Sequence, residues 1–220
     1  LPAAAAPAGP GAAGPDPGPR TPALVPASRR EELLTQAVRM FAAHGYTQVS
    51  IEDIGHAVGI SGPSVYNHWP NKLDLLVTTL RRGAAALAMD VSTVYRLAPD
   101  AAGALRMLIG FYVALSHTHY ETIGLLITDI GHLPDGERHA IRRAQRDFVS
   151  EWVHLLRLDQ PGLDPTAARI RVHAALSVAN DIARTPHLRR DPSVPAAVEI
   201  LCARLLGLPA GPRGTPQAGR

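Results

Sequence analysis

The chain has 220 residues, 46% of them hydrophobic, and a formal net charge of +3. That length and apolar content suffice to bury a sizeable core. The apolar residues come in helical stretches with no membrane-length run, and the single cysteine excludes an internal disulfide framework, so the composition fits a soluble protein of a reducing cytoplasm.

Residues 1–26, LPAAAAPAGPGAAGPDPGPRTPALVP, are mostly Ala, Pro and Gly, with too few large apolar groups to fold. They lack the basic start and apolar stretch of a secretory signal, so they read as a disordered tail, and the missing initial Met reads as a trimmed start. Residues 209–220, PAGPRGTPQAGR, read as a second such tail.

The densest signals lie between Ser50 and Leu76, SIEDIGHAVGISGPSVYNHWPNKLDLL. Ser50 before Asp53, Ser61 opening Gly62-Pro63-Ser64, and Asn71 before Asp74 each place a short acceptor where the first free N–H groups of a helix need one. Ile51, Ile54, Ala57 and Val58 form a one-sided stripe on a helix of about two turns, and Gly59 suits its left-handed C-terminal cap. The next helix starts after the short connection of a helix-turn-helix. It is expected over 62–69, with Pro63 in the first turn and Val65 and Trp69 facing inward.

In such a motif the leading residues of the second helix meet base edges in the major groove, and nearby hydroxyls and lysines hold phosphates. Gly62, Pro63, Ser64, Tyr66, Asn67 and His68 occupy its outer face and leading end. Ser64 and Asn67 are placed to read bases. Tyr66, His68 and Lys72 can reach the backbone, with Ser50 and Ser61 beside them. The alternative for Tyr66 and His68 is to finish a small three-helix core.

These residues resemble the DNA-binding domain of the TetR family of bacterial transcriptional regulators. The resemblance runs from about Ser28 to Leu76. It rests on Ala37 to Phe41 with Gly45-Tyr46, on Ser50-Ile51-Glu52-Asp53-Ile54, on Gly59-Ile60-Ser61, and on Val65-Tyr66-Asn67-His68-Trp69-Pro70-Asn71-Lys72. Gly62 departs from the pattern, since many members carry a DNA-touching polar or basic residue there, so one contact is expected to be missing. The resemblance implies an all-α protein of about nine helices. Residues 27–76 would form the three-helix reading head, and residues 77–208 an effector-binding and dimerisation domain. It also implies a regulator, most often a repressor, that binds a palindromic operator as a homodimer and is released by a small effector.

Residues 27–82 carry six basic side chains against five acidic ones, Glu31, Glu32, Glu52, Asp53 and Asp74, all placed where a first helical turn favours them. Arg29, Arg30, Lys72, Arg81 and Arg82 are then expected to be available for phosphates, with a moderate salt dependence. Residues 83–208 carry thirteen of each sign and no basic surplus.

Beyond residue 76 the pattern is helical throughout: 71–97, 100–119, 121–130, 135–158, 165–184 and 193–207. Val194, Val198, Leu201, Cys202 and Leu205 make one clean stripe, with Cys202 as a buried apolar residue. The helix over 165–184 is apolar on more than one face and rich in alanine, so it needs two partners, one of them a second subunit. The family likewise pairs its last two long helices into a dimer interface. Two reading heads would then lie about one turn of DNA apart or more.

The apolar helix over 100–119 can line a cavity, bordered by Tyr112, Ser116, His117, Tyr120, Thr128, Trp152, His173 and Asn180 as polar anchors. Arg138, Arg142, Arg143 and Arg146 read either as a solvated face, with Arg143 and Asp147 as an i, i+4 pair, or as a dock for a phosphate-bearing ligand. The stretch from Leu133 to Trp152 resembles regulators that sense acyl or sterol coenzyme A thioesters. No Gly-rich phosphate loop, paired general acids or nucleophile elbow is present, and the histidines lack metal-ligand spacing, so neither catalysis, a cofactor nor a metal is expected. The competing non-enzymatic reading is a helical adaptor without effector response.

Overall fold

A computed structural model describes residues 28–209. The tail over 1–26, and all of 209–220 except Pro209, therefore lie outside the described residues. Every regular element among the described residues is helical: α1 (Arg29–His44), α2 (Ile51–Ala57), α3 (Gly62–Val65), α4 (Lys72–Leu97), α5 (Ala101–Thr118), α6 (Tyr120–Thr128), α7 (Asp135–Asp159), α8 (Pro165–Arg184), α9 (Pro186–Arg189) and α10 (Val194–Leu205), with 3-10 turns at Tyr46–Gln48 and Ile130–His132. The helix beyond the nine expected is α9, a single turn started by Pro186 inside a stretch read as a break. No described helix is long and apolar enough to cross a membrane.

The helix starts follow side-chain capping at most of the expected places. Ser50 and Asp53 form a complete capping box, and the Asn71 side chain accepts from the Asp74 N–H at 2.9 Å. Asp100 and Asp164 cap α5 and α8 in the same way. Ser61 differs, because its hydroxyl meets the Ser64 hydroxyl at 2.8 Å and caps no backbone amide.

Two apolar clusters organise the helices. One joins Leu33, Leu34, Ala37 and Phe41 of α1 to Ile51, Ile54, Val65 and Trp69, then to Leu75, Leu76 and Leu80 at the start of α4. It does not stop at residue 76. Ile123, Leu125 and Leu126 of α6, with Ile130, Leu133 and Ile141, belong to the same cluster. The second cluster fills the space between the far half of α4, α5, α7, α8 and α10, around Leu105, Leu108, Trp152, Leu156, Val172 and Cys202. At about 1.5 Å per residue α4 runs nearly 40 Å, long enough for its two ends to serve both clusters.

The last stripe splits between interior and surface. Val198 and Cys202 are buried against α8, with the Cys202 thiol 3.5 Å from the Ala175 carbonyl, whereas Leu201 faces outward beside Ile200. Burial pushes the Cys202 thiol up to about 11. On α8 the buried side is Ala168, Val172, Ala175, Leu176, Ala179 and Ala183, while Ile170 is 63% exposed on the opposite side.

Candidate nucleic-acid interface

The connection between α2 and α3 is fixed by a paired cap. The Ile60 N–H donates to the Gly55 carbonyl at 3.0 Å and the Gly59 N–H to the His56 carbonyl at 3.1 Å, with Gly59 at φ +74°. This is the Schellman arrangement, which only a residue tolerant of left-handed backbone supports. The two helices then cross closely. A Cβ on Gly55 would lie 2.9 Å from Val65 Cγ2 and 3.0 Å from the Ile60 carbonyl oxygen. The expected stripe on α2 is therefore Ile51, Ile54 and Gly55, while Ala57 points out.

Gly62 also takes part in the packing. It is buried, and a Cβ there would meet Glu52 Cγ at 2.9 Å. The contact expected to be missing at this position has no exposed place to be made from. What α3 presents outward is Ser61, Pro63, part of Ser64, then Tyr66, which is 51% exposed, and Asn67. The regular helix is shorter than the expected 62–69 and ends at Val65. Amides of Asn67, His68 and Trp69 still bond back to Ser64 and Val65, so Tyr66 to His68 continue as a tight turn.

Two further expected contacts are committed inside the protein. The Ser50 hydroxyl donates to Asp53 Oδ2 at 2.7 Å while accepting the Asp53 N–H at 3.0 Å, so it has no proton left for a phosphate oxygen. Those bonds hold the Asp53 carboxyl below its usual range. Lys72 Nζ donates to the carbonyls of Tyr46 at 2.9 Å and Val49 at 2.8 Å and stands 4.3 Å from the centre of the Tyr46 ring. Its first task is to hold the turn over Tyr46–Gln48. His68 is half-buried, with its carbonyl accepting from Arg30.

The arginines expected to be free are likewise tethered. Arg29 pairs with Glu32 at 2.7 Å and donates to the Val58 carbonyl. Arg30 stacks on Trp69 at 3.7 Å, and the Trp69 indole N–H returns a bond to the Arg30 carbonyl at 3.2 Å. Arg81 pairs with Glu137 of α7. Arg82 grips Glu31 of α1 through two nitrogens at 2.7 and 2.9 Å, which lowers the Glu31 carboxyl.

One set of contacts had no sequence signal. The Tyr46 N–H donates to Asp129 Oδ1 at 3.3 Å, and the Tyr46 ring lies 5.1 Å from that of His132. Asp129 is buried and also accepts the Thr128 hydroxyl at 2.5 Å. The end of α6 thus touches the turn that Lys72 holds from the other side.

The expected effector residues divide three ways. Tyr112, His173 and Asn180 do converge, with Gln145, Phe148 and Leu176, on a cavity of about 170 Å³ among α5, α6, α7 and α8. The Tyr112 hydroxyl donates to Asn180 Oδ1 at 2.8 Å, and burial pushes the phenol up to about 12. Ser116, His117, Thr128 and Trp152 do not line it. Ser116 is buried and bonds the Val113 carbonyl, and Thr128 is exposed and serves Asp129. Trp152 sits in the core against Tyr112 and Phe148, its indole nitrogen without a partner among the described residues. Tyr120 lies elsewhere, under the Arg189 guanidinium at 3.5 Å and on a separate cleft of about 1020 Å³ beside α1. On α7, Arg142, Arg143 and Arg146 are exposed, and the expected Arg143–Asp147 pair does not form, whereas Arg138 pairs with Asp135. Among the described residues no group of three or more His, Cys, Asp or Glu could hold a metal ion.

Residues 33–79 match the family model described as bacterial regulatory proteins, tetR family. The chain is 25% identical over 158 residues to the transcriptional activator FasR of Mycolicibacterium smegmatis, covering 71% of each. It is 31% identical over 102 residues to the transcriptional repressor KstR2 of the same organism, covering 44% of this chain and 48% of that one. Among solved structures, a TetR-family transcriptional regulator from Bordetella parapertussis superimposes with a TM-score of 0.74 at 19% identity, over 84% of this chain and 99% of that one.

Proposed function

From the premise that the chain belongs to the TetR family of bacterial transcriptional regulators, DNA-binding proteins and not enzymes, we propose that it is a homodimeric repressor. In this reading it acts in the cytoplasm and binds a roughly palindromic operator, each protomer laying the leading end of α3 in the major groove. Residues 28–76 are the reading head, and the helices from residue 77 onward carry effector response and dimerisation. Ser61, Pro63, Ser64, Tyr66 and Asn67 face the DNA. The observation that carries the proposal is this exposed, small and hydrogen-bonding face, held at a fixed angle by the Gly55 and Gly59 contacts.

The dimer reading rests on apolar side chains left outside. Ile170 of α8 and Ile200 and Leu201 of α10 are 63%, 56% and 40% exposed, on two helices already packed against each other. A second copy of the same pair would cover them.

The effector site is the cavity of Tyr112, His173 and Asn180, an apolar space with few polar anchors. Its size suits a small, largely apolar molecule. An acyl coenzyme A thioester would fit only with its head group outside, along the α7 face where Arg142 and Arg146 flank the lining residues Gln145 and Val149. Effector response would reach the head by two routes, through the length of α4 and through the contact of Asp129 and His132 with Tyr46.

The test is a mobility shift with DNA from upstream of the chain's own gene, together with sedimentation velocity. Tyr66→Ala should weaken binding on every sequence, and Asn67→Ala should alter preference at one base position by about 1 to 3 kcal/mol. Ile170→Asp with Ile200→Asp should give a folded monomer with weak operator affinity. A parent protein that is monomeric and bound to no such fragment at low salt would overturn the proposal.

A further inference from the structure

The larger of the two cavities is not the one among α5, α6, α7 and α8, with which it shares Ile123 as a wall. It is the cleft of about 1020 Å³ between α1 on one side and α4, the end of α5 and the start of α6 on the other. Its walls are apolar at Leu34, Val38, Ala86, Leu115 and Ile123. A volume in this range holds a drug-sized molecule, whereas the smaller cavity falls below it.

Of the donors on the cleft, Thr79 is the buried one without an acceptor among the described residues, and Arg39 is an exposed cation on its rim. Thr79 lines it, is only 4% exposed, and its Oγ1 has no hydrogen-bond partner among the described residues. A helical threonine ordinarily returns its hydroxyl to the carbonyl one turn back, and a buried hydroxyl left unpaired is costly. Arg39 stands on the same cleft, and among the described residues it makes neither an ion pair nor a hydrogen bond. The other cleft arginine, Arg82, is neutralised by its two-nitrogen grip on Glu31. Glu121 is the remaining carboxylate on the cleft wall, and it opposes an anion.

We propose that this cleft is a second ligand site, and that its ligand is an amphipathic carboxylic acid with one further oxygen along its apolar body. The carboxylate lies against Arg39, the second oxygen accepts from Thr79, and the apolar body runs along Leu34, Val38, Ala86 and Leu115. The charge sign follows from Arg39 being the cleft arginine without an ion-pair partner among the described residues, and the second oxygen from the unpaired Thr79 hydroxyl. Because one wall is α1 and the other begins α6, an occupied cleft braces the reading head against the helix that ends at Asp129. That last consequence rests on the regulator reading, but binding does not, so the two are tested separately.

The test is calorimetric titration of the full-length protein with 12-hydroxydodecanoate, with dodecane-1,12-diol as the uncharged control. The acid should bind once per chain. Arg39→Gln should weaken it by about tenfold, the effect of one charge-assisted bond, and should leave the diol unchanged. Glu121→Gln should tighten the acid, the opposite sign, which no general loosening of the fold produces. Ala86→Phe, which fills the wall, should abolish binding, while Leu176→Phe in the smaller cavity should leave it intact. Acid binding that is absent up to millimolar concentration, indifferent to Arg39→Gln, or lost in Leu176→Phe would overturn the proposal.

Discussion

Lys72 is the side chain for which chemistry read from sequence and geometry give opposite experimental signatures. As a phosphate contact, its loss would weaken DNA binding and reduce the salt slope by about one, with little effect on stability. The structure instead places its ammonium on two backbone carbonyls and over the Tyr46 ring. A hydrogen bond from a charged group contributes about 1.5 to 3 kcal/mol net, and a half-exposed pair belongs at the low end. The cation–π contact adds about 0.5 to 1 kcal/mol. Against this, a positive charge in the first turn of α4 opposes the helix dipole by about 0.3 to 1 kcal/mol. Lys72→Met, which keeps the stem, should therefore cost about 3 kcal/mol. For a chain of this size that lowers the melting temperature by about 6 to 12 °C, measurable by calorimetry. Below that transition, operator affinity should drop while its salt slope stays within a few tenths of the parent's. An unchanged melting temperature with a slope reduced by about one would refute the structural role.

Three other outcomes follow from the same geometry. Gly55→Ala forces a methyl into Val65 and the Ile60 carbonyl, so it should destabilise by about 1 to 3 kcal/mol of overpacking and abolish operator binding, read by thermal melting and mobility shift. Ser50→Ala should lose stability most above the ordinary carboxylate range. The Asp53 carboxyl is held low by Ser50, so its contribution is present at neutral pH and disappears as pH falls through the depressed value; parent and variant melts that stay parallel from pH 7 to pH 2 would contradict this. Cys202, buried and with its thiol pushed up to about 11, should resist iodoacetamide at pH 8 in the native protein and react at once in denaturant.

The reading head was legible because its signals are local. Capping at Ser50 and Asn71, the left-handed Gly59 and the inward Val65 and Trp69 each involve residues within one or two turns, and the structure places all of them as the spacing implies. What was not legible depends on contacts distant in the chain. That Gly62 is filled by Glu52, that Gly55 receives Val65, or that Tyr46 donates to Asp129 across 83 positions has no periodic signature. The effector residues suffered most, because a polar residue on an apolar helix looks the same whether it borders a cavity or bonds its own backbone. Tyr112, His173 and Asn180 do the first, and Ser116 and Thr128 do the second.

Net charge is the feature most easily misread in this chain. The sequence places five cations at the head for phosphates, and five contacts would give log K against log salt a slope of about −4.5 per head. Each of the five is tethered within the protein: Arg29 to Glu32, Arg30 on Trp69, Lys72 on two carbonyls, Arg81 to Glu137 and Arg82 to Glu31. The sixth, Arg39, stands on the cleft beside α1 and not beside α3. A cation whose charge is already met by a carboxylate releases fewer counterions from DNA, because neutralising a phosphate then exposes its former partner. Arg30 escapes that cancellation, since its partner is neutral, and Arg29 retains donors beyond its Glu32 contact, whereas Lys72 is spent on the turn over Tyr46–Gln48. The slope per head should therefore be about −2, measured by fluorescence anisotropy between about 50 and 300 mM salt. A slope near −4.5 would mean that the Glu137 and Glu31 pairs open on DNA, and Glu137→Gln and Glu31→Gln would then raise affinity where intact pairs predict little change.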